Sequence, residues 1–176
     1  MTNYPPPPRP LSPGGQPLAD FGTRLLAQLV DGVILGVAGL LALSPVLYYL
    51  VLGVVTDIQT YGPDSEFARG FGRAMLLELL LLPLLLLVQY LYYVEMINRS
   101  GQTIGKKVAK VRVVPINPAA PMTRTVAAKR FLVHVLAGSM IPYFNYLDGL
   151  WQLWDKPYLQ CLHDKFAQTV VVKVSP

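Results

Sequence analysis

The chain has 176 residues, 53% hydrophobic and 14% charged, with a net charge of +5. Soluble domains carry about 25% charged residues, so this composition points to a protein whose solvent is partly lipid. The single cysteine, Cys161, excludes an intrachain disulfide and any CxxC-type metal site.

The segment 1–17 holds seven prolines, four of them consecutive at 5–8. It cannot bury a core, so 1–18 is expected to be a disordered or polyproline II tail. Such a tail could be a solvated leader, or could recruit a soluble partner with an aromatic-lined groove. Asp20 and Thr23 stand where a helix N-cap belongs. The run 25–52 follows, with Asp31 as its one charge, and it is long enough to span a bilayer. It is too long for a signal-peptide core. Pro45 offers a kink, and Tyr48 and Tyr49 suit an aromatic belt.

Arg24, Gln28 and Asp31 share one helical face, with Asp31 roughly 10 Å along the axis from Arg24. A carboxylate that deep in a lipid-facing helix costs roughly 2.5 to 3.5 kcal/mol, so it needs a partner, a wet pocket or a task. Two readings carry equal weight. In one, a fixed Arg24–Asp31 ion pair orients the helix; in the other, Asp31 carries a proton or cation.

The connection 55–73 contains Asp57, Asp64, Glu66, Arg69 and Arg73, with a turn at Gly62 and Pro63. A second span is expected over 74–97, interrupted by Pro83 and ending among Tyr90, Tyr92 and Tyr93. Glu78 is expected about one turn inside its near end, within reach of the interface. Gln89 is its deepest polar group and suits an interhelical hydrogen bond.

Beyond Glu95 no acidic residue occurs before Asp148, while eight Lys or Arg residues do. The positive-inside rule makes this segment cytoplasmic, facing anionic lipid headgroups. The N-terminus is then also cytoplasmic. These basic residues flank membrane spans, so no nucleic-acid partner is expected. VAKVRVV at 108–114 and TVVVKV at 169–174 read as strands that pair with one another. Pairing requires the apolar region 131–154 to enter the membrane and return, breaking near Gly138 and Pro142; 24 residues would also suffice for one crossing.

Three segments together resemble the RDD family of membrane proteins. They are Arg24 with Asp31, GQTIGKKVAKVRVV at 101–114, and LHDKFAQTVVV at 162–172. The resemblance covers about 19–174, leaving the Pro-rich tail outside. It implies that Arg24 and Asp31 are the family's named arginine and first aspartate. Asp164 is taken as the second, with Asp148 as the alternative. It also implies a possible activity, since some members are antiporters of sodium or potassium against protons.

Asp148, beside Trp151 and Trp154, reads first as an interfacial turn and second as a carboxylate facing a cavity. Arg130 fits a headgroup contact or a partner for that carboxylate. His134 reads as a packing residue, because no carboxylate stands at a helical spacing from it. Asp164 is expected to cap the loop that leads into the last strand, or to pair with Lys106 or Lys107. GQTIGK lacks the spacing and following Ser or Thr of a phosphate loop, so Gly101 and Gly105 read as turns. No metal site is expected, since His134 and His163 are far apart in sequence.

The expected fold class is mainly α: a polytopic membrane protein with two long transmembrane helices, a third broken helical region and a cytoplasmic two-stranded β element. The expected location is the cell membrane, with multiple passes. The first functional reading is exchange of a monovalent cation, or of another small solute, against protons. Two or three spans are few for a pathway, so that reading implies a homo-oligomer. The second reading is a scaffold that recruits partners through its tail. No enzymatic constellation and no cofactor are expected.

Overall fold

The computed structural model describes residues 10–55 and 66–174. Most of the Pro-rich tail, at 1–9, lies outside the described residues, as do Asp57, Asp64 and the turn at Gly62 and Pro63. The chain divides into two compact units at Asp31/Gly32 and at Gln89/Tyr90.

Helix α1 (Phe21–Val55) starts where Asp20 Oδ1 accepts a hydrogen bond from the Thr23 backbone N–H at 2.9 Å. It begins at its polar cap, earlier than the apolar run at 25 suggested. Helix α2 (Glu66–Tyr90) passes without interruption through a π-helical turn (Leu91–Glu95) into α3 (Met96–Ser100). It starts well before residue 74. Apolarity marks where a helix meets lipid, whereas the helix itself extends until its backbone is capped. Glu78 therefore lies roughly three turns inside α2, not one. Phe67 stacks on Phe71 at 6.2 Å and meets Tyr49 edge-on at 6.3 Å, joining the start of α2 to the end of α1.

The leucines of α1 and α2 face outward; Leu41 is 71% exposed and Leu80 74%. A core helix of a soluble protein would bury such residues. Both helices are long and apolar enough to cross a membrane, and lipid supplies the cover that the chain does not.

The remaining elements, with the start of α1 up to Asp31, form the other unit. Helix α4 (Ile104–Val108) is followed by β1 (Val111–Pro115). β1 starts later than expected at 108, because α4 takes up the first residues and Lys110 turns the chain at φ 54. β1 pairs antiparallel with β2 (Thr169–Lys173), placing Val113 opposite Val171. The other edge of β2 is covered by 17–19. Leu18 bridges Val172, Ala19 N–H donates to the Val171 carbonyl at 2.9 Å, and Lys173 N–H donates to the Pro17 carbonyl at 2.8 Å. This corrects the expected tail boundary at 18. Residues 10–18 fold back onto the sheet, where Leu18 is buried, and proline's missing N–H is no loss because Pro17 is an acceptor there.

The region 131–154 is broken, as its Pro142 implied. Helix α5 (Arg124–Phe131) runs through a second π-helical turn (Leu132–Ala137) into α6 (Gly138–Met140). Ile141 then turns extended, the conformation that the following proline imposes. The chain returns as α7 (Phe144–Leu150), a 3-10 turn (Trp151–Leu153) and α8 (Leu162–Phe166). Val94, Ile97, Val111, Val113, Phe131 and Val171 close a core between these pieces and the sheet.

Candidate functional site

Three carboxylates, Asp31, Asp148 and Asp164, are among the most deeply buried side chains of the described residues. Each is held differently, and all three lie in one unit.

Asp31 is at 2% exposure, and its four oxygen contacts come from elements after α2. Tyr92 donates its hydroxyl to Oδ1 at 2.5 Å, and the Gly105 backbone N–H donates to the same oxygen at 2.7 Å. Thr103 donates its hydroxyl to Oδ2 at 2.6 Å, and Lys106 Nζ stands 3.8 Å from that oxygen. Thr103 also caps α4, its hydroxyl oxygen accepting the Lys106 N–H. The GQTIGK segment is thus a dock for a membrane-helix carboxylate. Gly101 makes the expected turn, with φ 70. Gly105 has a further role: a Cβ there would sit 2.1 Å from the Ala27 carbonyl oxygen. Burial lowers the pKa of Lys106, and the Asp31 charge opposes that shift in part.

Asp164 is fully buried between two guanidiniums. Arg24 Nη1 donates to Oδ2 at 3.1 Å, and Arg130 donates to Oδ1. The Cys161 backbone N–H donates to Oδ2 at 3.2 Å. Burial alone would raise this carboxyl's pKa; the charges of Arg130 and Arg24 outweigh it and hold it well below the carboxylate range. Arg24 also donates to the carbonyls of Ala19 (3.2 Å) and Val171 (3.4 Å), and Arg130 donates to Thr169 Oγ1.

Two expected pairings are therefore corrected. Arg24 bonds Asp164 instead of Asp31, and Asp164 bonds arginines instead of Lys106 or Lys107. The reason is directional. A helical side chain leans toward the helix N-terminus, which carries Arg24 back toward Ala19 and β2 and away from Asp31.

Asp148 is fully buried, which overturns its reading as an interfacial turn. Its Oδ2 lies 3.2 Å from His134 Nδ1 and 2.6 Å from His163 Nδ1, and its Oδ1 accepts the His163 backbone N–H at 2.9 Å. Burial opposes its ionisation, but the bonds from His134 and His163 hold its pKa far below the usual carboxylate range. Burial keeps His163 below its ordinary value despite the nearby Asp164. His134 thus has its carboxylate after all, supplied by α7 across the break.

A cavity of about 290 Å³ is lined by Arg24, Asp31, Lys106, Arg130, His134, His163 and Asp164, and reaches Asp148 only through its two histidines. Gln28 also lines it, from an exposed position on α1. Gln89 is half-exposed, in the other unit. Glu78, in the other unit, keeps a buried Oε1 with no hydrogen-bond partner among the described residues.

Sequence reasoning missed Tyr92, Thr103, His134 and His163 as parts of this site, and named Lys106 only as a partner for Asp164. Tyr92 and His134 both stand on π-helical turns, which rotate side chains off the regular helical face. A family model described as the RDD family matches residues 18–168. No curated protein and no solved structure matches the chain.

Proposed function

Because the chain belongs to the RDD family and carries two membrane-length apolar helices, we propose that this membrane protein exchanges a small monovalent cation for protons. The observation that carries the reading is Asp31 beside Lys106 at 3.8 Å, both on the cavity wall. Lys106 is a half-buried cation there whose pKa burial lowers. When Lys106 releases its proton, Asp31 loses its ammonium neighbour and offers a carboxylate to an incoming cation. When the cation leaves, Lys106 takes a proton again. The site's charge is the same in both states, as an exchanger requires. Two membrane-length helices among the described residues are few for a pathway, so the working unit is a homo-oligomer in the cell membrane.

The test is flux in liposomes of purified protein. Wild type moves protons in response to a sodium or potassium gradient, while Asp31→Asn and Lys106→Gln do not. Absent wild-type flux, or flux unchanged in Asp31→Asn, sinks the reading.

One observation favours a second reading, a scaffold in which no solute crosses. Asp164 is saturated by Arg24 and Arg130, and it ties α1, α5 and β2 together. A network built only to hold the fold would look the same at that residue. Co-purification of a partner that requires residues 1–9, with no flux, would support it.

A further inference from the structure

The chain has two histidines, and the fold brings both onto one carboxylate. His134 Nδ1, His163 Nδ1 and a carboxylate oxygen of Asp148 lie within 4.8 Å of one another, and the two rings are 5.1 Å apart. We propose that His134, Asp148 and His163 form a binding site for a first-row transition-metal dication of the zinc type.

The donor set is the first argument. Two imidazoles and one carboxylate suit Zn²⁺ and its neighbours, and do not suit Mg²⁺ or Ca²⁺, which prefer oxygen. Zinc bonds of about 2.0–2.2 Å place tetrahedral ligand atoms roughly 3.3 Å apart. The His134–Asp148 separation of 3.2 Å already meets that spacing, and the 2.6 Å to His163 has only to open slightly. The ligands come from three elements: the π-helical turn after α5, α7 and α8. Metal would thus clamp the broken region to the C-terminal segment. Both histidines line the cavity, which gives the ion a route in and leaves a coordination position open to water.

The surroundings are the second argument. Metal-bound imidazoles are oriented by a carboxylate or carbonyl behind the ring. His163 has one, since its Nε2 faces Asp164 Oδ1 at 3.7 Å. The Asp148 carboxylate is oriented too, with Oδ1 bound to backbone and Oδ2 turned to the histidines. Gln152 is buried on the same cavity wall, and its Oε1 has no hydrogen-bond partner among the described residues. That oxygen can accept from a metal-bound water.

A second trio, Cys161, His163 and Asp164, overlaps the first. It is the poorer site. Burial pushes the Cys161 thiol up to about 12, and both Asp164 oxygens are taken by guanidiniums. The inference does not rest on cation exchange, because neither histidine belongs to the Asp31–Lys106 pair.

The test uses full-length protein in detergent, purified without a histidine tag and stripped with chelator. Equilibrium dialysis against Zn²⁺, read by elemental analysis, is expected to give one ion per chain. Co²⁺ is expected to give the visible absorption of a four- or five-coordinate site. His134→Ala and His163→Ala are each expected to weaken binding by at least the roughly 10- to 100-fold that loss of an outer-shell partner costs. Cys161→Ser is expected to keep it. If the alanine variants do not fold, wild type alone decides: Zn²⁺ must protect both histidines from carbethoxylation. No stoichiometric Zn²⁺ in wild type, unchanged binding in both alanine variants, or no protection would overturn the proposal, leaving a hydrogen-bonded pair of imidazoles on Asp148.

Discussion

Asp164 shows what a buried charge does when both its oxygens are claimed. Replacing it with asparagine leaves Arg24 and Arg130 buried without a counter-charge, and breaking a buried pair from one side costs about 3–5 kcal/mol. We expect Asp164→Asn to lower the thermal midpoint in detergent far more than Lys107→Gln, a change at an exposed site. Asp20 gives the opposite case. Lys173 Nζ lies 2.5 Å from Asp20 Oδ2, and that bond, with the Thr23 N–H, lowers the carboxyl to about 2 from an ordinary 3.8. A carboxyl lowered in the fold contributes its full stability above 3.8 and loses it as the pH falls toward about 2. The pair is exposed, so the effect is under about 1 kcal/mol. The thermal midpoint measured against pH should show this acid step in wild type and lose it in Asp20→Asn.

At the scale of elements, the docking of α4 on α1 depends on one missing methyl group. A Cβ at Gly105 would stand 2.1 Å from the Ala27 carbonyl oxygen and 2.7 Å from Asp31 Oδ1. Neither neighbour can yield without moving helix backbone or breaking the bonds to Asp31. Gly105→Ala should therefore cost at least the roughly 1–3 kcal/mol of an overpacked core. Gly72→Ala, in open space on α2, should be nearly silent; comparing the thermal midpoints of the two checks this. The same element shows what was legible in the sequence. The two apolar helices, the valine strands and the break at Pro142 were readable, because each follows from local periodicity or from proline sterics. The buried aspartate in α1 was readable as a problem, because its cost is independent of fold. Its partners were not. Tyr92, Thr103 and Lys106 reach Asp31 only because a π-helical turn and a glycine allow close approach, and neither leaves a periodic trace. His134 and Asp148 meet because the chain doubles back, and that contact has no local spacing to betray it.

At the scale of the whole molecule, the decisive question is how many times the chain crosses the membrane. The β1–β2 pairing ties residues 111–115 to 169–173. His134 and Asp148 meet across the break at 141–143, so the two arms of the broken region lie side by side. Both contacts hold the ends of the region close together, so we expect it to enter and return. A single crossing would carry α8 and β2 to the opposite face and pull the sheet apart. The native cysteine cannot report this, because Cys161 is buried and its thiol is pushed up to about 12. Two exposed positions can: Ala119, between β1 and α5, and Lys156, between α7 and α8. In a Cys161→Ser background, Ala119→Cys and Lys156→Cys should both resist an impermeant maleimide in intact cells. Both should label once the membrane is opened. Reaction of one but not the other would mean a true third crossing. Reaction of both in intact cells would keep the re-entrant path but reverse the orientation inferred from the basic segment.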